Sequence, residues 1–159
     1  MNDPLPRGSE TSLVLTHLMQ PADANYLGNI HGGVIMKLID EAAGACAFRF
    51  CRTNVVTAAI DRIDFHHPVQ IGNLVRLLAN VNYAGRTSVE VGVRVEAEDL
   101  TTGMVTHTNS AYLVFVALSG TGRPIPVPRL TPVTDEQKAC YEKAAERRRK
   151  RLAEREPAD

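Results

Sequence analysis

Charge of one sign is what this sequence most plainly lacks. Lys+Arg and Asp+Glu both total 18 in 159 residues, so the formal net charge is zero. That argues against a chain whose main task is neutralising nucleic-acid phosphates or anionic lipid, although a local basic patch stays open. Long apolar runs are missing too: no stretch approaches the roughly 20 residues of a membrane span. Met1 to Glu10 has no apolar segment behind a basic start, so no secretory signal is expected there. Cysteine is scarce. Cys46, Cys51 and Cys140 are an odd number without C-x-x-C spacing. This disfavours a disulfide framework and a zinc ribbon, and points to buried thiols in a reducing cytoplasm. What is present is apolar material, 44% of the chain. At this length a domain buries roughly 70% of the surface its unfolded chain exposes. No internal repeat and no second domain stand out.

Residues 1–10 are polar, contain Pro and Gly, and read as a loose N-terminal arm. Thr11 to Met19 has the β-branched and apolar content of a first strand. Gln20 to Gly32, with Pro21, Asp23, Asn25, Gly28 and Asn29, reads as an irregular connection. From Gly33 to about Arg52 the period changes. Val34, Leu38, Ala42, Ala45 and Phe48 recur at helical spacing, predicting a helix of about 20 residues and about 30 Å. Its small middle, Ala42-Ala-Gly-Ala45, lets another backbone come close.

Strands are expected over Thr53–Asp64, Asn73–Tyr83, Thr87–Asp99 and Met104–Leu118. In the third, Val89, Val91, Val93 and Val95 face one way and Glu90, Arg94 and Glu96 the other, so one sheet face is buried and the other wetter. The order predicts an α+β fold, an antiparallel meander wrapped around the long helix. Beyond Gly122 a proline-rich stretch runs over the surface. A C-terminal helical extension over residues 131–159 begins at Thr134, whose spacing to Gln137 fits a capping box. The basic run Arg147 to Arg151 on it reads first as a solvated face.

Two constellations can carry chemistry. Asn29-Ile-His-Gly-Gly33 feeds the long helix. Glycines there leave backbone N–H groups uncovered, and with the helix dipole these suit negative charge developing on an oxygen. Asp40 lies inside the helix on nearly the same face as Gly33, about 10.5 Å further along the axis. A single reacting carbon cannot touch both, which hints at a site shared between antiparallel helices of a dimer. A solvent stripe for Asp40 and a plain tight turn for Gly32-Gly33 are the competing readings. The second constellation, Gly85-Arg86-Thr87-Ser88, is a small-residue turn with hydroxyls and a cation, able to hold a phosphate or to be an ordinary hairpin.

The segment Asn29-Ile-His-Gly-Gly-Val-Ile-Met-Lys-Leu-Ile-Asp-Glu-Ala-Ala-Gly44 closely resembles the helix of the hotdog-fold acyl-CoA thioesterases, in their cytosolic acyl-CoA hydrolase branch. The resemblance continues through Thr53-Asn-Val-Val-Thr-Ala58, Asp64-Phe-His66, Gly85-Arg-Thr-Ser-Val-Glu90 and Ser119-Gly-Thr-Gly-Arg-Pro-Ile-Pro-Val-Pro128. It implies a hotdog domain over residues 11–130 and hydrolysis of fatty acyl-CoA to free acid and CoA, with no metal and no cofactor beyond the CoA of the substrate. It also implies a cytoplasmic homodimer as minimal unit, as a dimer of dimers or trimer of dimers, without nucleic acid or membrane as partner. By the same resemblance Asp40 is the general base or nucleophile, Asn29 faces that carboxylate from the other subunit, and Gly33 offers its N–H to the thioester oxygen. His31, Gly32, Arg86, Thr87 and Ser88 belong to the substrate and CoA contacts, His31 more as a structural hydrogen-bonding group. The basic helix run has CoA-phosphate contact as its functional alternative. A dehydratase using His31, or a silent acyl-CoA sensor, are the rival functions.

Overall fold

The computed structural model describes residues 10–155, so the expected N-terminal arm lies, but for Glu10, outside the described residues. Five strands and two long helices follow in the order β1 (Ser12–Leu18), α1 (Gly32–Cys51), β2 (Val55–Phe65), β3 (Leu74–Ala84), β4 (Ser88–Glu98), β5 (Val105–Ala117) and α2 (Asp135–Glu154). All pairings are antiparallel, in the spatial order β1-β3-β4-β5-β2. The α+β expectation holds, but the simple meander does not. Only β3, β4 and β5 run as neighbours in sequence. β2 leaves β3 and closes the far side against β5, because the segment after Phe65 is held elsewhere: the His66 N–H donates to Thr108 O and the Ile30 N–H to Val69 O. That segment crosses the sheet end where α1 begins.

The alternating valines of β4 face α1. Val89, Val91, Val93 and Val95 are all buried, opposite Ile35, Leu38, Ile39, Ala43, Ala47 and Phe50 of the helix. Ala42, Ala43 and Ala47 let the helix axis sit close to the sheet, and Phe50 fills the far end. Truncating such a fully buried ring to alanine costs about 3–5 kcal/mol. Arg52 ends the helix in the left-handed region at φ 54°, its N–H donating to Phe48 O at 2.7 Å. Burial pushes the Cys46 thiol up to about 11, so it is an inert filler of this core.

α2 crosses the opposite face of the sheet, and the expected capping box is present: Thr134 Oγ1 accepts from the Gln137 N–H and Gln137 Oε1 from the Thr134 N–H. The Tyr141 and Tyr83 rings sit 4.9 Å apart. Arg147 donates to both oxygens of Glu90, at 2.6 Å from Nη2 to Oε1, and lies 3.7 Å from the centre of the Tyr112 ring. Arg151 bonds Asp61 of β2 and reaches Glu90 at 3.4 Å. Burial works against the Arg147 charge, but the bonds and charge of Glu90 outweigh it and hold its pKa above the ordinary value. The face read as wetter is open around Arg76, Asn80 and Arg94. Under α2 it is closed, and Glu90 is 1% exposed. The basic run is therefore split: Arg147 and Arg151 dock the helix, while Arg149 faces solvent.

Candidate active site

The chain entering α1 is tied by its own side chains. The Asp23 carboxylate accepts from the Gln20 N–H, which holds it below the ordinary carboxylate range. Asp23 O accepts from His31 N–H at 2.8 Å. Asn25 Oδ1 accepts from the N–H groups of Leu27 and Asn29, and Asn29 O accepts from the Asn25 N–H at 2.7 Å. Asn29 is thus held by its backbone with its side chain left over, half-buried at the mouth of a cleft.

His31 is the N-cap of α1, and its Nδ1 accepts the Gly33 N–H at 2.9 Å. The N–H that the sequence reading offers to an oxyanion therefore has an imidazole partner, while the Gly32 N–H has no acceptor among the described residues. A side chain at Gly33 would press on that imidazole, its Cβ 3.1 Å from Nδ1. Both glycines keep the first turn of α1 bare, with the positive end of the dipole facing outward.

Asp40 sits two helical turns on, half-buried, in a separate shallow cleft with Glu41, Gly44, Phe48, Val55 and Phe115. Its Oδ1 accepts from the Thr57 hydroxyl at 2.8 Å, which fixes one carboxylate oxygen, and Oδ2 has no hydrogen-bond partner among the described residues. Asp40 is not part of a plain solvent stripe, because β2 supplies it with a partner. Thr57 was not singled out in the sequence. Its signal, a hydroxyl on the strand following the helix, becomes readable only once the register is known.

The Gly85–Ser88 turn closes β3 on β4. The Gly85 N–H donates to Ser88 O at 2.8 Å, and Arg86 O accepts from Val127 N–H at 3.0 Å. Arg86 is exposed and makes no ion pair among the described residues, and Thr87 and Ser88 are half-buried beside it. Because Val89 pairs with Phe115, this turn lies at the same end of the sheet as the Asp40 cleft. Asn29 and Gly32 lie at the other end, beside Phe65 and Asn109. The structure thus groups Asp40, Thr57 and the Gly85 turn apart from Asn29, His31, Gly32 and Gly33. Among the described residues no group of three or more His, Cys, Asp or Glu is placed to hold a metal ion. None of their helices is long and apolar enough to cross a membrane.

The family model of the thioesterase superfamily matches residues 27–104. Protein VdlD of Helicobacter pylori is 40% identical over 141 residues, covering 89% of this chain and 80% of its own. The cytosolic acyl coenzyme A thioester hydrolase of Homo sapiens is 38% identical over 136 residues, 84% of this chain but 35% of that longer protein. An apo-hexameric acyl-CoA thioesterase superposes with a TM-score of 0.89 at 38% identity, over 94% of this chain and 96% of its own. The acyl-CoA hydrolase of Staphylococcus aureus, solved with butyryl coenzyme A, coenzyme A and coenzyme A disulfide, gives 0.86 at 34% identity, over 96% and 93% of the two chains. Solved variants of that hydrolase replace with alanine an aspartate, a threonine 17 positions after it and an asparagine 15 positions before it.

Proposed function

Since the chain belongs to the thioesterase superfamily and is an acyl-CoA thioester hydrolase, we propose that it splits fatty acyl-CoA into free acid and coenzyme A at a site shared across a homodimer. The observation that carries this reading is the separation of the site's halves within one chain. Asp40 and Thr57 hold one cleft, and the glycine-led start of α1 borders another. Antiparallel pairing of two copies of α1 brings each Asp40 to the other subunit's Gly33. The free side of β2 supports that pairing. It is a sheet edge, and Val56, Ile60 and Phe65 on it, with Met36 and Phe48 of α1, are large apolar side chains left exposed, the surface a partner covers. The hexameric relative favours a trimer of dimers over a dimer of dimers. The cytosolic relative supports a cytoplasmic setting.

In this mechanism the thioester oxygen takes the place of the His31 imidazole on the Gly33 N–H and meets the free Gly32 N–H beside it. Donors already in position then stabilise the charge that develops on that oxygen. The partner's Asp40, oriented by Thr57, either removes a proton from water as the water attacks the carbonyl carbon or attacks that carbon itself. As general base, Asp40 passes that proton to the departing CoA thiolate. As nucleophile, it forms a mixed anhydride while the CoA thiolate leaves; water then hydrolyses the anhydride, releasing the acid, restoring the Asp40 carboxylate and supplying the proton the thiolate takes up. An asparagine orients the attacking group, and the Asn25–Asn29 turn holds two candidates. Asn29 borders the cleft, but Asn25 stands 15 residues before Asp40 and Thr57 stands 17 after it, the spacing of the three replaced residues in the S. aureus enzyme. That spacing favours Asn25 as the reacting amide, with Asn29 as a neighbour held by it. Arg86, Thr87 and Ser88 take the phosphate-bearing arm of CoA.

Thiol release measured across acyl-CoA from C2 to C18 tests the reading. Asp40→Asn keeps size and hydrogen bonding but removes basicity, so it is expected to lose most of kcat while still binding acyl-CoA. Retention of more than about a tenth of wild-type kcat removes Asp40 from the reaction. Asn25→Ala losing kcat more than Asn29→Ala assigns the amide, and the reverse order returns it to Asn29. Acyl-CoA binding by the wild type without any thiol release identifies a silent sensor instead.

A further inference from the structure

We propose that Asn109 reads the acyl group: its side-chain oxygen is a hydrogen-bond acceptor in the wall of the acyl pocket and favours a hydroxylated acyl chain over a plain alkyl chain. This deepens the thioesterase reading above and rests on it. Asn109 lies on β5, opposite Phe65 of β2 and Val95 of β4, and is 0% exposed. Its Nδ2 donates to Asp64 O at 3.2 Å. That bond fixes which way the amide points, since the reversed orientation sets two acceptor oxygens against each other. Oδ1 is then left inside with no partner among the described residues. A buried acceptor without a donor is a standing cost, and native structures rarely keep one that does nothing.

Its position says what the donor belongs to. Asn109 lines a cleft of about 200 Å³ with Asn29, Ile30, Gly32, Ile35 and Phe65. The cleft opens beside the start of α1, where the thioester carbonyl sits in the mechanism above. From that carbonyl the substrate has two arms. The CoA arm carries phosphates and needs cations, but no Lys or Arg lines this cleft. The phosphate-suited turn at Arg86 lies at the other end of the sheet and reaches the reacting carbonyl from the partner, with the partner's Asp40. The cleft with Asn109 is therefore left to the acyl arm. Its wall is apolar apart from Asn29, Asn109 and the two histidines of the crossing segment, so a short alkyl chain fits. A methylene placed against Oδ1 leaves that already dry oxygen without a donor, whereas an O–H satisfies it.

The test is a ratio measured within one enzyme, which does not depend on how much of it is folded. kcat/KM is determined for butyryl-CoA, 3-hydroxybutyryl-CoA and 4-hydroxybutyryl-CoA with the wild type, Asn109→Leu (near in volume, no acceptor) and Asn109→Ala. The better hydroxylated substrate is expected to lose roughly tenfold or more relative to butyryl-CoA in both variants. A ratio unchanged in both overturns the assignment, as does an equal loss on all three substrates, which places Asn109 at the pantetheine or makes it only a support for Asp64. If the wild type hydrolyses acyl-CoA and the ratio stays put, the Asn109 assignment alone fails. If the wild type releases no thiol from any of them, the thioesterase reading fails and this one with it.

Discussion

A site divided between subunits can be rebuilt from two broken ones, and the arithmetic follows from the geometry. Gly33 and Asp40 are seven residues apart on one helix, about 10.5 Å along its axis, and Asp40 is already bonded to Thr57 of its own chain. In the proposed mechanism each reacting centre draws its Asp40 from one copy and its asparagine and glycines from the other. Take one subunit with Asp40→Ala and a second with both Asn25→Ala and Asn29→Ala, each expected to be nearly dead alone. In a mixed pair one site collects every defect and the other is wholly intact. Random co-assembly makes about half the pairs mixed, each with one of two sites working, so roughly a quarter of wild-type activity should return. Higher assembly leaves that fraction unchanged, because each site still belongs to one pair. The assay is thiol release after co-expression or joint refolding, against a control in which the two variants are folded separately and then mixed cold. Recovery to roughly a quarter in the first and none in the second is the expected result. Equal inactivity in both refutes the shared site, since a site contained in one subunit has a defect in every copy.

Two further outcomes test the periphery. Arg86→Ala should raise KM for acyl-CoA more than it lowers kcat, with the difference shrinking at high salt. An unchanged KM at low salt removes the Gly85–Ser88 turn from the nucleotide site. Arg147→Met leaves the buried Glu90 carboxylate with only the 3.4 Å contact to Arg151 among the described residues. Breaking a buried pair costs about 3–5 kcal/mol; the 23% exposure of Arg147 and the surviving Arg151 set the expectation near the lower figure. For a domain of this size, that is a fall in Tm of about 6–12 °C, and a shift below about 2 °C means that the ion pair does not dock α2.

Local periodicity made most of the elements legible. The valine alternation of β4, the helical spacing from Val34 to Phe48 and the Thr134 capping box each reappear within a residue or two. Strand order was not legible. β2 reads like any other strand, and its pairing with β5 depends on where the segment from His66 to Asn73 is tied, which is a tertiary matter. The role of Glu90 was hidden for the same reason. A carboxylate on the outer face of a strand looks solvated until a helix some 50 residues later supplies two arginines. At the site, the glycine pair and Asp40 stood out because they break the composition around them. Thr57, Asn25 and Asn109 are polar residues among polar or strand-forming neighbours, and only hydrogen-bond partners or spacing in a relative single them out.

The place of β2 in the sheet also bears on how the chain is made. β1 waits for β3, which starts at Leu74, 56 residues after β1 ends at Leu18, and β2 waits for its strand partner β5, which starts at Val105, 40 residues after β2 ends at Phe65. At ordinary synthesis rates of about 5–20 residues per second, β2 is outside the ribosome for a few seconds with both backbone edges open. In that interval Val56, Ile60 and Phe65 are sticky to any neighbour, nascent chains of the same message included. Two bulges interrupt the β2 register, between Thr57 and Ala59 and between Ile60 and Arg62. Irregular pairing of this kind discourages edge-to-edge capture, so the same kinks that fit β2 to β5 also shield it while β5 is still being made.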